Sequence, residues 1–265
     1  MALLRKLTAK EKRTVGHWAT ELFIVVAGVL IALGLQQWAE RRQALRDMAA
    51  AEEAIHDEVR GSLQSLLWRQ AISRCHFERA MLLKKMLLKP GSHWPGLTEN
   101  ALLKTSIGAA SGVQTVAQGV YSRPQDAFTA AAWNSALTTG ALAPMDRKRF
   151  AMLVALYDGI EFMARNRDRE DRAASTLSSL TFPQELTPET KTRMLQALYE
   201  VDTSRFMFVY SLPEFVAGMR ELGWDDKAEI DRFIREDEAA ILQEGSRWRP
   251  CVARQRNPFA EKPKD

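Results

Sequence analysis

"ELFIVVAGVLIALGLQQWAERR", residues 21–42, decides how the rest of the chain is read. Residues 22–35 contain no charged side chain and no proline. With its flanks the segment runs over 18–38, 21 residues. At about 1.5 Å per residue, that length crosses roughly the 30 Å of hydrocarbon in a bilayer. A buried core helix, a cleaved signal peptide and a retained anchor all compete for such a stretch. A core helix normally keeps one polar face, whereas 22–35 is apolar all round. A cleavage site wants small residues three and one positions before the cut. Gln37 and Ala39, with Trp38 between them, do not supply that pattern. Trp18 and Trp38 stand at the two ends, where aromatic rings settle at headgroup level, and basic residues flank both sides. The expectation is an uncleaved single-pass transmembrane helix with Trp18 and Trp38 as its interface anchors.

Arg5, Lys6, Lys10, Lys12 and Arg13 precede the span, and Arg41, Arg42 and Arg46 follow it. This imbalance of basic residues favours the N-terminus inside and the bulk of the chain outside. Glu21, Gly28, Ala32 and Gln36 fall at helical spacing along one side of the span. Gly28 and Ala32 form a small-xxx-small pair that lets a second helix approach closely, and Gln36 can hydrogen-bond across such a contact. These residues form the candidate transmembrane packing face. Glu21 sits near the inner interface, where a carboxylate stays hydrated.

The remainder predicts an all-α fold, the transmembrane helix continuing into a helical bundle domain. Residues 39–70 are rich in Ala, Glu, Arg and Leu, which favour helix. Leu45, Met48, Ile55, Val59 and Leu66 lie near a heptad seam, broken by Glu52 and Ser62, that packs on the same chain or on a second copy. Helix is expected to continue to Pro90-Gly91. "KPGSHWPGLTEN" (89–100) reads as loop, with Thr98 starting a short helix to Ile107, and 108–124 reads as irregular. A helix follows from near Ser122 to a stop at Gly140. Residues 143–180 form a long amphipathic helix with Phe150, Leu153, Val154, Tyr157, Ile160 and Met163 as its stripe. Thr187 and Pro188 mark a helix start, and 225–243 reads as the last helix. No alternating strand pattern of useful length occurs. The expected organisation is a basic cytoplasmic tail over 1–17, the span at 18–38, an extracytoplasmic all-α domain over 39–245 and a basic, extended tail over 246–265.

"GHWATELFIVVAGVLIALGLQQWAERRQ" (16–43) resembles the anchor of an uncharacterised family of bacterial single-pass membrane proteins. There an acidic residue precedes a Gly-bearing apolar run that ends in a Gln-Trp-Ala-Glu type exit. "AWNSALTTGALAPMDRKRFAMLVALYDGIEFM" (132–163) is similar to that family's second block, a Trp-bearing helix ending in Gly, then a helix with a Leu-Tyr pair. The resemblance implies anchorage plus a helical domain and carries no reaction. In a Gram-negative cell the orientation expected from the basic residues places the anchor in the inner membrane and the bulk in the periplasm.

The formal net charge is +4, concentrated in "RKLTAKEKR" (5–13) and "RWRPCVARQR" (247–256). Outside the membrane such a tail meets anionic headgroups or an acidic partner rather than nucleic acid. The two cysteines, Cys75 and Cys251, are a candidate disulfide in an oxidising compartment. Closing so long a loop is worth roughly 2–5 kcal/mol. His56, His76 and His93 are scattered, and Cys75-His76 is no metal-ligand spacing. Gly-x-Ser-x-Gly nucleophile elbows and Gly-rich phosphate loops are absent from the sequence. "RNRDREDR" (165–172) reads as a solvated helix face with i,i+4 pairs. No catalytic, cofactor-binding or metal residue is therefore assigned, no cofactor is expected, and an enzyme is not the first reading. The expected partners are the bilayer and a protein partner or second copy. The expected role is a membrane-anchored interaction or scaffold protein, a homo-oligomer or an accessory subunit. A ligand-binding sensor that signals through a separate partner is the alternative, ahead of an enzyme with an unrecognised site.

Overall fold

The computed structural model describes residues 9–96, 120–121, 128–242 and 253–260. The short helix proposed from Thr98 to Ile107 lies outside them. One uninterrupted helix, α1, runs Ala9–Leu87 over 79 residues, so span and domain share a single rod. Then come strand β1 (His93–Pro95), helix α2 (Ala131–Thr139), helix α3 (Arg147–Ser178), a 3₁₀ turn (Ser179–Thr181), strand β2 (Pro183–Glu185), helix α4 (Pro188–Glu221) and helix α5 (Lys227–Leu242). The all-α expectation holds, with one small exception. β1 and β2 pair antiparallel, Trp94 opposite Gln184, and pin the far end of the bundle. Trp94 is buried there and donates its indole N–H to the Leu180 carbonyl at 2.7 Å. Gly96 is required beside this pairing. Its φ is +77°, and a Cβ on it would lie 2.7 Å from the Pro183 nitrogen.

The helix limits follow local chemistry. Asp146 caps α3 by accepting from the Lys148 and Arg149 amides, and Thr187 caps α4 by accepting from the Thr190 amide, with Pro188 next in line. Gly140 ends α2 in the left-handed conformation, φ 70°. The start of α2 differs from expectation. It begins at Ala131, whereas Ser122 lies outside the described residues, and its N-cap, Ala130, offers no side-chain bond.

α3 runs parallel to α1: Arg149 meets Glu52, Tyr157 meets Glu58 and Arg69 meets Glu170. α4 returns antiparallel and sets Arg205 against Ser73 on α1. The heptad seam divides. Ile55, Val59 and Leu66 are buried within the chain, whereas Leu45 is exposed and Met48 only half-buried. The core is built in two apolar blocks. One joins Ile55–Leu67 positions of α1 with Leu153, Ile160, Met163, Phe208 and Phe215; the other joins Leu83 and Leu87 with Leu177, Met194 and Val201.

In the C-terminal tail, residues 253–260 are extended and docked on the domain: Phe259 is buried in the first block, the Ala253 amide donates to the Ala71 carbonyl at 2.9 Å, and Asn257 donates to the Lys227 carbonyl. One buried aromatic in a coil gives no periodic signal, so the sequence pattern missed it.

Candidate functional site

Three places on this frame can carry function: the span, a buried polar layer and an outer groove. The span residues make no core. The most apolar 18-residue window of α1 is 0% buried against the rest of the chain. Trp18 and Trp38 are exposed at its ends, and the Arg42 guanidinium lies over the Trp38 ring at 5.3 Å. Glu21, Gly28, Ala32 and Gln36 are all exposed along one side. A Cβ on Gly28 would meet nothing within 4 Å. The Gln36 amide donates to Glu40 at 2.8 Å, one turn further along its own helix, so it must exchange that bond to pair across helices.

Between the two apolar blocks lies a polar layer that the sequence reading did not find. Glu170, 0% exposed, pairs with Arg69, 4% exposed, at 2.7 Å. The Tyr121 hydroxyl donates to Glu170 at 3.0 Å and lies 2.9 Å from His76 Nδ1. The Arg69 guanidinium also covers the Phe208 ring at 3.7 Å. Asn166 donates to the Ser204 carbonyl at 2.9 Å, which fastens α3 to α4. Burial, then the charge and hydrogen bond of Glu170, push the Tyr121 hydroxyl well above its ordinary value, so it stays a donor. The run 165–172 is thus only partly a solvated face. Arg165 is solvated and pairs with Glu161, one turn before the run, but Asn166 and Glu170 point inward. The signal was present: Met163, Asn166, Glu170, Ala173 and Leu177 continue the buried stripe of α3 without a break in period.

A second carboxylate organises the end of the domain nearer the span. Glu58 Oε1 accepts from the Thr129 hydroxyl and the Ala131 amide, both at 2.7 Å. Its Oε2 accepts from the Tyr157 hydroxyl at 2.7 Å and the Trp133 amide at 3.4 Å. This carboxylate from α1 supplies the cap that Ala130 lacks, at the positive end of α2. Partial burial pushes its carboxyl up, but the bonds from Thr129, Tyr157, Trp133 and Ala131 outweigh that and hold it below the ordinary range. Tyr157 is driven the other way by burial and by Glu58, and Trp133 stacks on it at 4.8 Å.

The histidines are dispersed. His56 lies against Trp224, His76 is in the polar layer, and His93 faces Glu185 at 3.3 Å. Among the described residues no three His, Cys, Asp or Glu gather as a cation cluster. Cys75 is buried and carries no free thiol. Cys251 lies outside the described residues, although Ala253 bonds to Ala71, one turn before Cys75.

The third place is a groove of about 650 Å³ between α3 and α4, lined mainly by apolar side chains. Neither a protein-family model, nor a curated protein, nor a solved structure matches the chain. The fold alone defines its class: an all-α protein whose described residues include one N-terminal helix long and apolar enough to cross a membrane.

Proposed function

We propose that the chain is a membrane-anchored scaffold that holds a helical domain outside the cytoplasm and works by binding protein, as a homo-oligomer or as an accessory subunit of a membrane complex. The observation that supports this reading best is the bare span, with its open Gly28 face, on the same helix that forms a wall of the domain. Within lipid, apolar helices gain little by hiding from one another, so small residues that allow close backbone packing favour association. The excess of basic residues before the span favours an inside N-terminus and a domain in the periplasm of a Gram-negative cell.

The test is purification of the full-length protein from its own membranes in mild detergent, with its mass and co-eluting chains determined. Companions in fixed ratio, or a homo-oligomer, support the reading; a bare monomer sinks it. Gly28→Ile, which adds bulk to the open face, is expected to weaken association by roughly tenfold or more, about 1.4 kcal/mol. Unchanged assembly removes the span face from the account.

Export also makes a disulfide-permissive environment for Cys75 and Cys251. Protein purified without reductant, unfolded and then titrated with a thiol reagent is expected to show no reactive thiol. Two reactive thiols would separate the cysteines and argue for a reducing compartment.

A further inference from the structure

The groove between α3 and α4 is rimmed by residues exposed on both helices, among them Ala151, Ala155, Tyr210 and Glu214. Leu156, Met163 and Phe215, which belong to the block shared with α1, form its floor, whereas Tyr157 and Arg205, which bond to α1, are not among its lining. On α3 its lining includes Ala151, Ala155 and Gly159, one small residue per turn. Gly159 has nothing within 4 Å of where a Cβ would stand, so the space is free. On the α4 side Glu214 and Glu221 line it, exposed and two turns apart, against a single cation, Lys148, on α3.

We propose that this groove seats a helix of the protein partner, one that presents an apolar ridge and carries basic residues seven apart on the flank lying over α4. The inference rests on the partner-binding reading above. Length supports a helix. From Lys148 to Phe162 the groove follows α3 for roughly 21 Å at about 1.5 Å per residue, the length of a helix of about 14 residues. Width supports it too, because a row of small residues at four-residue spacing lets another helix sink between the flanking side chains. Met152 and Met207, both half-buried, contribute adaptable apolar surface. Phe162 and Tyr210 stand exposed at the far end as aromatic anchors. Charge selects the occupant. A second copy docked by the same face would gather four carboxylates (two each of Glu214 and Glu221) around two Lys148 ammoniums. A basic helix meets the same wall with opposite sign.

The experiment uses the full-length protein in phosphatidylcholine nanodiscs. The probes are two fluorescein-labelled helical peptides of about 18 residues with one shared Leu ridge. One carries Lys at the flank positions and the other Glu. The Lys peptide is expected to bind wild type at least tenfold more tightly than the Glu peptide at low salt, with the gap closing as salt rises. Gly159→Leu fills open space and is expected to weaken the Lys peptide at least tenfold while helicity and melting temperature are kept. Ala155→Phe serves the same end if that variant fails to fold. Glu214→Gln with Glu221→Gln is expected to erase the preference for Lys.

Binding of neither peptide, equal binding of both, or wild-type affinity in the filled variants overturns the proposal. Dissociation of a dimer of the chain by Gly159→Leu, without peptide, reassigns the groove to a second copy and overturns it as well. A native companion that co-purifies equally with wild type and Gly159→Leu leaves the partner-binding reading standing and removes only the groove. Absence of any companion or homo-oligomer removes the reading itself.

Discussion

Arg69→Met is expected to lower the unfolding free energy of the full-length protein by about 3–5 kcal/mol, read from denaturant unfolding followed by circular dichroism. The reason is the partner it leaves behind. Glu170 is 0% exposed, and without Arg69 it keeps the neutral donor Tyr121 but loses the guanidinium paired with it. Removing one member of a buried pair strands a charge where solvent cannot reach it, and that desolvation cost dominates the loss. The methyl-capped thioether keeps most of the packing over Phe208, so cavity formation adds little. The double variant Arg69→Met, Glu170→Leu is therefore expected to recover most of the loss, because no stranded charge remains. A loss below about 1 kcal/mol for Arg69→Met would mean that water enters the layer and that it does not seal the two apolar blocks from each other.

Glu58→Ala is expected to cost about 2–4 kcal/mol, since four donors lose one acceptor and two of them are helix N-terminal amides with no substitute. The loss should be local before it is global. Hydrogen exchange is expected to quicken first at the start of α2, and Trp133, stacked on Tyr157, should report the loosening by fluorescence. The pH dependence has a definite sign. Because the folded carboxyl lies below its ordinary value near 4.5, its stabilisation is fully present above that value and is lost as pH falls through the lower folded one. The stability gap between wild type and Glu58→Ala should then be constant near neutrality and shrink in acid. A gap that widened on acidification would contradict the charge-based capping of α2.

Much of the frame could be read from residue pattern. The apolar run 22–35 marked the membrane-length segment of α1, and Leu153, Tyr157, Ile160 and Met163 marked the inner stripe of α3. Thr187 and Pro188 marked the start of α4, because caps and first-turn prolines act within a few residues of themselves. What escaped reading depends on residues far apart in sequence. The start of α2 is fixed by Glu58, whose bond to Ala131 spans 73 positions, so nothing beside Ala130 announces it. β1 and β2 are too short for alternation to show, and they exist because His93–Pro95 finds Pro183–Glu185 across the bundle end. Glu170 and Asn166 were read by their chemistry as solvent-facing, although their period placed them inside. Burial period should have outweighed polarity there, because Arg69 and Ser204 supply the partners that polarity requires. The α3–α4 groove was missed, although Ala151, Ala155 and Gly159 stand at four-residue spacing along α3.

The continuity of α1 gives the molecule a fixed height. If the span ends at Trp38, Glu52 stands about 21 Å further along the rod at about 1.5 Å per residue, and Arg149 is fastened there. Arg69, level with Glu170, stands about 46 Å along. Because α1 runs unbroken from the apolar segment into the wall of the core, tilting or turning that segment within lipid, as the proposed anchorage would have it, would swing the domain with it. On the proposed anchorage the helix would act as a gauge, its tilt in lipid setting the height and direction at which the α3–α4 furrow is offered.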